Sequence, residues 1–243
     1  MKNFVVTGGA GFIGSHLVEK LVDSGNKVAV IDCRKDLSNL SHLLDRIEVI
    51  DSDLANFESI DPQVFVNSTV YHLAAFAKPS VAETQPLDCY SDNVLGAFKL
   101  LKTLSEFKPK RIISISAGAL YSVSAEPYSE LSSIDPLFGV YSSSKRIMEL
   151  MLKDFERIYG VRSVVVRLFN TYGPRQELDY LIPSLIVKAK KGDFEIYNGS
   201  VVRDFNHVED VVNALTLLND YQGDQELFNI GTGKGTSLSL IHI

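Results

Sequence analysis

Tyr141 and Lys145 are the residues whose types and spacing most directly indicate proton chemistry. They belong to the segment YSSSK and lie four positions apart, so a helix would place both side chains on one face. An ammonium group near a phenol stabilises the phenolate and lowers the phenol's pKa from its reference value of about 10. A phenolate could then take a proton from an alcohol. For this segment alone, a hydroxyl-rich helix start without catalytic function is the alternative.

A glycine-rich loop, TGGAGFIG, follows the first predicted strand and opens the first predicted helix. Gly8 can form the tight turn, Gly11 lets the backbone approach a pyrophosphate, and Gly14 lets the helix pack closely on the strand. The helix N-terminus, with Phe12 and Ile13 in its first turn, then faces the anion. The loop therefore predicts a dinucleotide-binding site.

Asp32 ends the second predicted strand, eighteen residues after Gly14. A carboxylate at this point accepts hydrogen bonds from the hydroxyls of the adenosine ribose and repels a 2′-phosphate, so it favours NAD over NADP. Arg34 is close enough to bind a 2′-phosphate, but we interpret it as a solvated charge that follows the strand.

The rest of the chain alternates apolar runs with amphipathic helical patterns, which predicts right-handed βαβ units and a parallel sheet of at least six strands. The predicted strands are NFVVT, KVAVID, RIEVID, TVYHLAA, KRIISIS and RSVVVRLFN, followed by FEIY and LFNIG. The predicted helices cover residues 11–24, 37–44, 88–107, 141–159, 182–190 and 208–219. The later pieces would form loops and helices at the carboxyl edge of the sheet, where such folds bind ligands.

The composition argues against several classes of partner and site. The chain has 243 residues and a formal net charge of −6, with acidic and basic residues interspersed, so no basic stripe for nucleic acid is present. Two cysteines, Cys33 and Cys89, cannot build a disulfide framework, and the five histidines show no metal-ligand spacing. We find no signal peptide and no apolar run of membrane-spanning length. We therefore expect a cytoplasmic protein without metal, membrane or nucleic-acid partners.

Further segments, in the expected order, make the sequence similar to the extended short-chain dehydrogenase/reductase family. Within it, the chain most resembles the NAD-dependent nucleotide-sugar epimerases and dehydratases, and the UDP-glucose 4-epimerases above all. The segments are DSDL (51–54), HLAA (72–75), DNVLGAFKLL (92–101), SIS (114–116), RLFNTYGPR (167–175), RDFNHVED (203–210) and FNIGTG (228–233). The resemblance implies an α/β fold: a Rossmann-type doubly wound parallel sheet with a small, apparently truncated C-terminal substrate-binding region.

The resemblance also implies a role for each matching residue. Tyr141, Lys145 and Ser116 would be catalytic, with Lys145 also binding the nicotinamide ribose and Ser116 donating or relaying a hydrogen bond at the reacting oxygen. Asn170 and Arg203 would contact the diphosphate of a UDP-sugar. Asn93 has an alternative, as a buried, hydrogen-bonded polar group. Beyond the glycine loop and Asp32, the residues expected to bind NAD are Asp53, Leu54, Ala74, Ala75, Asn93, Tyr141 and Lys145.

The reaction that the resemblance implies is 4-epimerisation of UDP-glucose and UDP-galactose. Hydride would leave C4 for NAD, the 4-keto intermediate would turn, and hydride would return to the opposite face. A UDP-sugar decarboxylase is the first alternative. A 4,6-dehydratase fits less well, because Ala117 and Gly118 stand where the related enzymes carry an Asp-Glu pair. A non-catalytic NAD-binding sensor is the alternative from another class.

Three further expectations concern organisation. Residues 1–170, with a strand and a helix from 203–230, would form the NAD-binding unit, and 171–243 a partial nucleotide-sugar-binding region. The resemblance suggests a homodimer through the helices at 88–107 and 141–159. The last six residues, LSLIHI (238–243), can be encoded by codons that match a transposase sequencing adapter. We interpret them as read-through from a cut reading frame, with a natural short end as the alternative.

Overall fold

The computed structural model describes residues 2–55, 60–124, 127–135, 139–192 and 198–241. The strands are β1 (Asn3–Thr7), β2 (Lys27–Asp32), β3 (Glu48–Asp51), β4 (Thr69–His72), β5 (Arg111–Ala117), β6 (Ser163–Leu168), β7 (Asn170–Tyr172), β8 (Val202–His207), β9 (Leu227–Ile230) and β10 (Gly235–Ser237). The α-helices are α1 (Phe12–Asp23), α2 (Pro79–Ala82), α3 (Pro86–Tyr90), α4 (Ala97–Phe107), α5 (Val140–Tyr159), α6 (Leu181–Lys190), α7 (Val208–Leu218) and α8 (Leu238–Ile241).

A seven-stranded sheet forms the centre of the fold, in the order β3-β2-β1-β4-β5-β6-β9. Its neighbouring strands pair in parallel throughout. The chain runs outward from β1 to β3 and then returns to start again at β4 on the other side of β1. This reversal creates a crevice at the carboxyl ends of β1 and β4, where open α/β sheets bind their ligands. The predicted doubly wound parallel sheet is confirmed.

Both faces of this sheet are covered by helices, which explains why its strands read as nearly continuous apolar runs. On one face α1 and α7 pack together and bury Leu17 and Leu215. On the other face α4 and α5 bury Leu104 and Met148. All four side chains are at most 1% exposed. Helix α5 ends at Gly160, whose φ of +71° gives the left-handed conformation that stops a helix.

Two predicted helices differ from the observed ones. The segment predicted as a helix at 37–44 is a 3-10 helix at Ser38–Leu43, where the hydroxyl of Ser41 donates to the carbonyl oxygen of Ser38. The helix predicted at 88–107 consists of α3, a π-helical turn at Ser91–Gly96, and α4. The predicted strand FEIY (194–197) lies outside the described residues.

A second sheet, which the sequence analysis did not anticipate, joins β7, β8 and β10. Strand β8 pairs in parallel with β7 and antiparallel with β10. The strand at 202–207 therefore belongs to this small sheet, whereas α7 and β9 return to the large one. Helix α8 follows β10 directly, and residues 242–243 lie outside the described part of the chain. The interpretation of 238–243 as read-through stays a hypothesis.

A pair of leucines on α7 provides a test of this packing. Leu215 is fully buried, whereas Leu217 on the same helix is 76% exposed. We expect Leu215→Ala to lower the free energy of unfolding by about 2–5 kcal/mol, because it leaves a cavity under α7. Leu217→Ala should change it by less than about 1 kcal/mol. Urea denaturation of both variants measures the difference, and equal losses would contradict the packing described here.

Candidate active site

The glycine loop and the loop after β4 meet backbone to backbone at the crevice. Gly8 has a φ of +70°, and a Cβ atom there would lie 2.6 Å from the backbone nitrogen of Ala74. A Cβ atom on Gly14 would collide with the carbonyl oxygen of Gly8. Since no larger residue fits at either position, the N-terminus of α1 is held close to the ends of β1 and β4. Its N-cap, Gly11, makes no side-chain cap, and such a helix end suits a pyrophosphate.

Asp32 is fixed at the end of β2, beside the glycine loop. Its Oδ2 atom accepts a hydrogen bond from the Ala10 N–H at 2.9 Å, and its Oδ1 atom accepts one from the Arg34 N–H at 3.0 Å. A carboxylate has about four lone-pair positions, so this one can also accept hydrogen bonds from ribose hydroxyls. Farther along the same edge, Asp53 accepts a hydrogen bond from the N–H of Ala55.

His72 and Thr7 join the ends of β1 and β4. The Nδ1 atom of His72 lies 2.9 Å from the hydroxyl of Thr7, which also accepts a hydrogen bond from the N–H of Ala74. Burial, together with the charge of nearby Lys145, lowers the pKa of His72 to about 3. His72 is therefore neutral at physiological pH and holds the loop that carries Ala74 and Ala75.

Asn93, in the π-helical turn, connects this loop to helix α5. Its Oδ1 atom accepts a hydrogen bond from the Phe76 N–H at 2.8 Å, and its Nδ2 atom donates to the hydroxyl of Ser144 at 2.9 Å. Ser144 in turn donates to the carbonyl oxygen of Tyr141. Asn93 is 1% exposed, which agrees with the alternative interpretation as a buried, hydrogen-bonded group. Its contact with a cofactor stays a prediction.

Tyr141 and Lys145 lie on the first turns of α5, which begins at the carboxyl edge of the sheet. The Nζ atom of Lys145 donates to the carbonyl oxygen of Ile115 on β5 at 3.0 Å. Burial lowers the pKa of Lys145 to about 8 and raises the pKa of Tyr141 above its ordinary value. We expected the ammonium of Lys145 to lower the pKa of Tyr141; instead burial, together with the charges of Tyr180 and Cys89, raises it. A positive charge entering the cleft, such as oxidised nicotinamide, would favour the phenolate.

Glu149, two turns beyond Tyr141 on α5, accepts hydrogen bonds from three side chains. Ser116 on β5 donates to its Oε1 atom at 2.6 Å, and Arg167 on β6 donates to both carboxylate oxygens at 2.9 and 2.7 Å. Arg146 adds a further contact at 2.9 Å. Burial would raise the pKa of Glu149, but the hydrogen bonds from Arg167 and Ser116 outweigh it and lower the pKa. The ionised carboxylate thus joins α5 to β5 and β6.

Ser116 is therefore placed differently from the expectation. The sequence predicted that its hydroxyl would donate or relay a hydrogen bond to the reacting oxygen. In the structure the single hydroxyl hydrogen goes to Glu149, so the Ser116 oxygen is left as an acceptor. Its catalytic role stays a prediction.

The sequence analysis missed Glu149 and Arg167, although both left a signal. Arg167 is a charged residue inside the otherwise apolar strand SVVVRL, and Glu149 follows Lys145 by four positions on the buried face of α5. The guanidinium of Arg167 also lies over the ring of Tyr121, 4.8 Å from its centroid. Tyr121 donates a hydrogen bond to Asn229 on β9 at 2.7 Å.

Asn170 and Arg203 are both exposed and lie on neighbouring strands of the small sheet. Asn170 donates to the carbonyl oxygen of Asp204, and Arg203 donates to that of Val202. The structure thus brings the two expected diphosphate ligands to one sheet.

Two features are absent from the described residues. Among them, no helix has the length and apolar character needed to cross a membrane. No group of three or more His, Cys, Asp or Glu residues in the same ranges could hold a metal ion.

Comparison with known proteins identifies the family. Residues 4–231 match the NAD dependent epimerase/dehydratase family. The chain belongs to this family. The Rossmann-type sheet, the glycine loop and the carboxylate of Asp32 fit its cofactor, NAD. Asp32, at the glycine loop, and Lys145, bonded to β5, are among the residues that would hold NAD, and their contacts with the cofactor stay a prediction.

Family members that catalyse different reactions are similar to this chain. UDP-glucuronic acid decarboxylase 1 of Arabidopsis thaliana is 34% identical, with 98% of this chain covering 57% of that protein. A UDP-glucose 4-epimerase structure from Thermotoga maritima with UDP-glucose is 32% identical, with a TM-score of 0.88. That match covers 98% of this chain and 80% of the other.

A third relative was crystallised with NAD. This UDP-glucuronic acid 4-epimerase of Bacillus cereus, in complex with UDP-glucuronic acid and NAD, is 26% identical with a TM-score of 0.88. The match covers 98% of this chain and 80% of that structure. Dehydratases of nucleotide sugars are also among the similar structures. The family of the chain is therefore established, whereas its individual reaction and sugar substrate are matters of proposal.

The buried ammonium of Lys145 predicts a pH dependence of stability. Its pKa of about 8 lies below the ordinary value of 10.5, so between these values the unfolded chain binds more protons than the folded one. Stability attributable to this site therefore rises with pH across that window. Relative to Lys145→Met, wild type should gain roughly 1–3 kcal/mol between about pH 7 and pH 10.

Urea denaturation at several pH values measures this gain. Lys102→Met, on the exposed side of α4, is the matched control and should show no such trend. A stability difference between wild type and Lys145→Met that stays constant with pH would contradict the buried ammonium.

Proposed function

We propose that the protein is an NAD-dependent 4-epimerase of UDP-sugars, with UDP-glucose and UDP-galactose as its substrates. The observation that carries the proposal is the position of Tyr141 and Lys145 on one helix at the carboxyl edge of the sheet, where Lys145 bonds to β5. A base at this point can serve an alcohol whose carbon gives up hydride to a cofactor in the crevice. Bound NAD would supply the hydride acceptor and donor.

In the proposed mechanism Tyr141 moves one proton in each direction. Its phenolate takes the proton of the C4 hydroxyl as the C4–H bond breaks and a ketone forms. After the sugar turns, the ketone oxygen takes the proton back from Tyr141 as hydride returns to the opposite face of C4. The positive charges of Lys145 and oxidised nicotinamide favour the phenolate needed for the first step.

The rest of the site would hold these groups in position. Asn93 and Ser144 fix the first turn of α5, and Glu149 fixes its next turns against β5 and β6. We propose that Asn170 and Arg203 receive the diphosphate of the nucleotide sugar, which their exposure and shared sheet support. Ser116 would donate to the reacting oxygen only if its hydrogen left Glu149.

A UDP-sugar decarboxylase is the second candidate. It is favoured by the 34% identity to a UDP-glucuronic acid decarboxylase across nearly the whole chain. Ala117 and Gly118 still argue against a 4,6-dehydratase, since neither carries an acid for eliminating water. A non-catalytic sensor is not favoured, because Tyr141 and Lys145 are both present and adjacent to the crevice.

Replacement of the proposed base tests the mechanism. With UDP-galactose and NAD in D2O, proton NMR should show UDP-glucose that still carries hydrogen at C4. We expect Tyr141→Phe to lower turnover by about 10²- to 10⁴-fold while leaving NAD binding intact. Tyr159→Phe, on the far end of the same helix, is the matched control and should keep full activity.

Other outcomes of this experiment are equally informative. A pentose nucleotide and carbon dioxide formed from UDP-glucuronic acid would indicate the decarboxylase. Full activity of Tyr141→Phe would exclude Tyr141 as the base. Binding of NAD without turnover of UDP-glucose, UDP-galactose, N-acetylated or uronic acid sugars would favour the sensor.

We also propose that the protein is a cytoplasmic homodimer. Cys33 and Cys89 are both free thiols, which suits a reducing compartment. Helices α4 and α5 pack side by side, and their outer surfaces expose Phe98, Leu150 and Ile158 at 44–56%. Such a paired apolar surface fits a four-helix contact with a second copy.

Charge on this surface tests the dimer. Sedimentation velocity at micromolar concentration should give a dimer for wild type and a monomer for Phe98→Glu, because the carboxylate would be buried without a partner. Leu217→Glu, on α7 at the opposite face of the sheet, should remain dimeric. A monomeric wild-type protein would remove the proposal.

A further inference from the structure

A short segment contacts elements on both sides of the crevice. We call residues 173–180 the strap. The carbonyl oxygen of Pro174 lies 3.0 Å from His16 on α1, and Arg175 pairs with Glu19 on the same helix at 2.6 Å. On the other side, the hydroxyl of Tyr180 donates to the carbonyl oxygen of Ala77, in the loop after β4.

Glu177, in the middle of the strap, pairs with one cation from each side. Its Oε1 atom lies 3.3 and 3.4 Å from the two terminal nitrogens of Arg34, which follows β2. Its Oε2 atom lies 2.7 Å from the Nζ atom of Lys78, which follows β4. Hydrogen bonding to Lys78 lowers the pKa of Glu177, so the carboxylate is ionised at physiological pH. Glu177 thus connects the carboxyl ends of β2 and β4.

The position of the Arg34 side chain in the fold bears on the choice between NAD and NADP. It stands two positions after Asp32, and an arginine near that acid is the group that accommodates the 2′-phosphate of NADP. Its backbone N–H already bonds to Asp32, so its guanidinium is the group that can bind a further partner. In the structure that partner is Glu177 on the strap.

We propose that Glu177 is a specificity-determining residue for the cofactor, which disfavours NADP by holding the Arg34 guanidinium on the strap. The carboxylate acts in two ways. It pairs with the Arg34 guanidinium, which would otherwise bind a 2′-phosphate. It also adds a second negative charge near the end of the crevice where Asp32 lies. Asp32 would remain the first determinant, since a carboxylate at the end of β2 accepts hydrogen bonds from the ribose hydroxyls and repels a 2′-phosphate.

The strap offers an internal control for net charge. Asp179 also pairs with Lys78, at 2.7 Å, but this ion pair does not involve Arg34. Asp179→Asn and Glu177→Gln remove the same charge from the same segment. Only the second substitution releases Arg34, so only that one should change the choice between the two cofactors.

The test is a fluorescence titration of cofactor-free protein with NADH and with NADPH at fixed ionic strength. We expect Glu177→Gln to lower the ratio of the NADPH Kd to the NADH Kd by at least about threefold, a size that a half-exposed ion pair supports. Asp179→Asn should change the ratio by less than about twofold. Adding Arg34→Gln to Glu177→Gln should remove the gain for NADPH, with circular dichroism confirming that each variant folds.

Three results would overturn the proposal. The first is an equal change of the ratio in Glu177→Gln and Asp179→Asn, which would show a general effect of charge. The second is a gain for NADPH that persists when Arg34 is also replaced. The third is an equal loss of affinity for both cofactors in Glu177→Gln, which would give Glu177 a role in closing the strap only. The titration contains no nucleotide sugar, so failure of the proposed epimerase activity leaves its outcome unaffected.

Discussion

The arrangement of the site depends most on the hydrogen bonds and ion pairs of the buried Glu149 carboxylate. This carboxylate joins helix α5 to β5 through Ser116 and to β6 through Arg167, and Arg167 continues the connection to Tyr121 and β9. Removing one partner of a buried ion pair typically costs about 3–5 kcal/mol, because the other charge is left without compensation. The pair therefore fixes how α5 sits on the sheet, and with it the place of Tyr141.

Polar contacts at several points along α5 fix its position, while apolar contacts with the core stabilise its packing on the sheet. Met148 and Leu152 bury the helix against the sheet, but apolar contacts tolerate small sliding motions. Directional hydrogen bonds do not, and three of them act along the helix, at Ser144, Lys145 and Glu149. A base that must meet one hydroxyl at hydrogen-bond distance requires this kind of positioning.

The sequence predicted the large sheet well because parallel strands buried on both faces carry an unmistakable apolar signal. It predicted the glycine loop for a related reason, since Gly8 and Gly14 stand where a side chain would collide with backbone. The small sheet escaped prediction because its strands are short and half exposed, without apolar alternation. The π-helical turn at Asn93 depends on side-chain bonds to Phe76 and Ser144, which lie far away in sequence. Arg34 was interpreted as a solvated charge, because nothing near it in the sequence points to Glu177.

The strap bears on whether the protein exchanges reducing equivalents with the rest of the cell. In the proposed function, exchange of a dinucleotide bound in the crevice would require the contacts of Arg175, Glu177 and Tyr180 to open. For the proposed epimerase, opening slower than turnover would return each electron pair to the sugar that gave it before the cofactor could leave. The proposed reaction would then draw nothing from the pool of reducing equivalents, and its direction would follow the concentration ratio of the two sugars relative to their equilibrium constant.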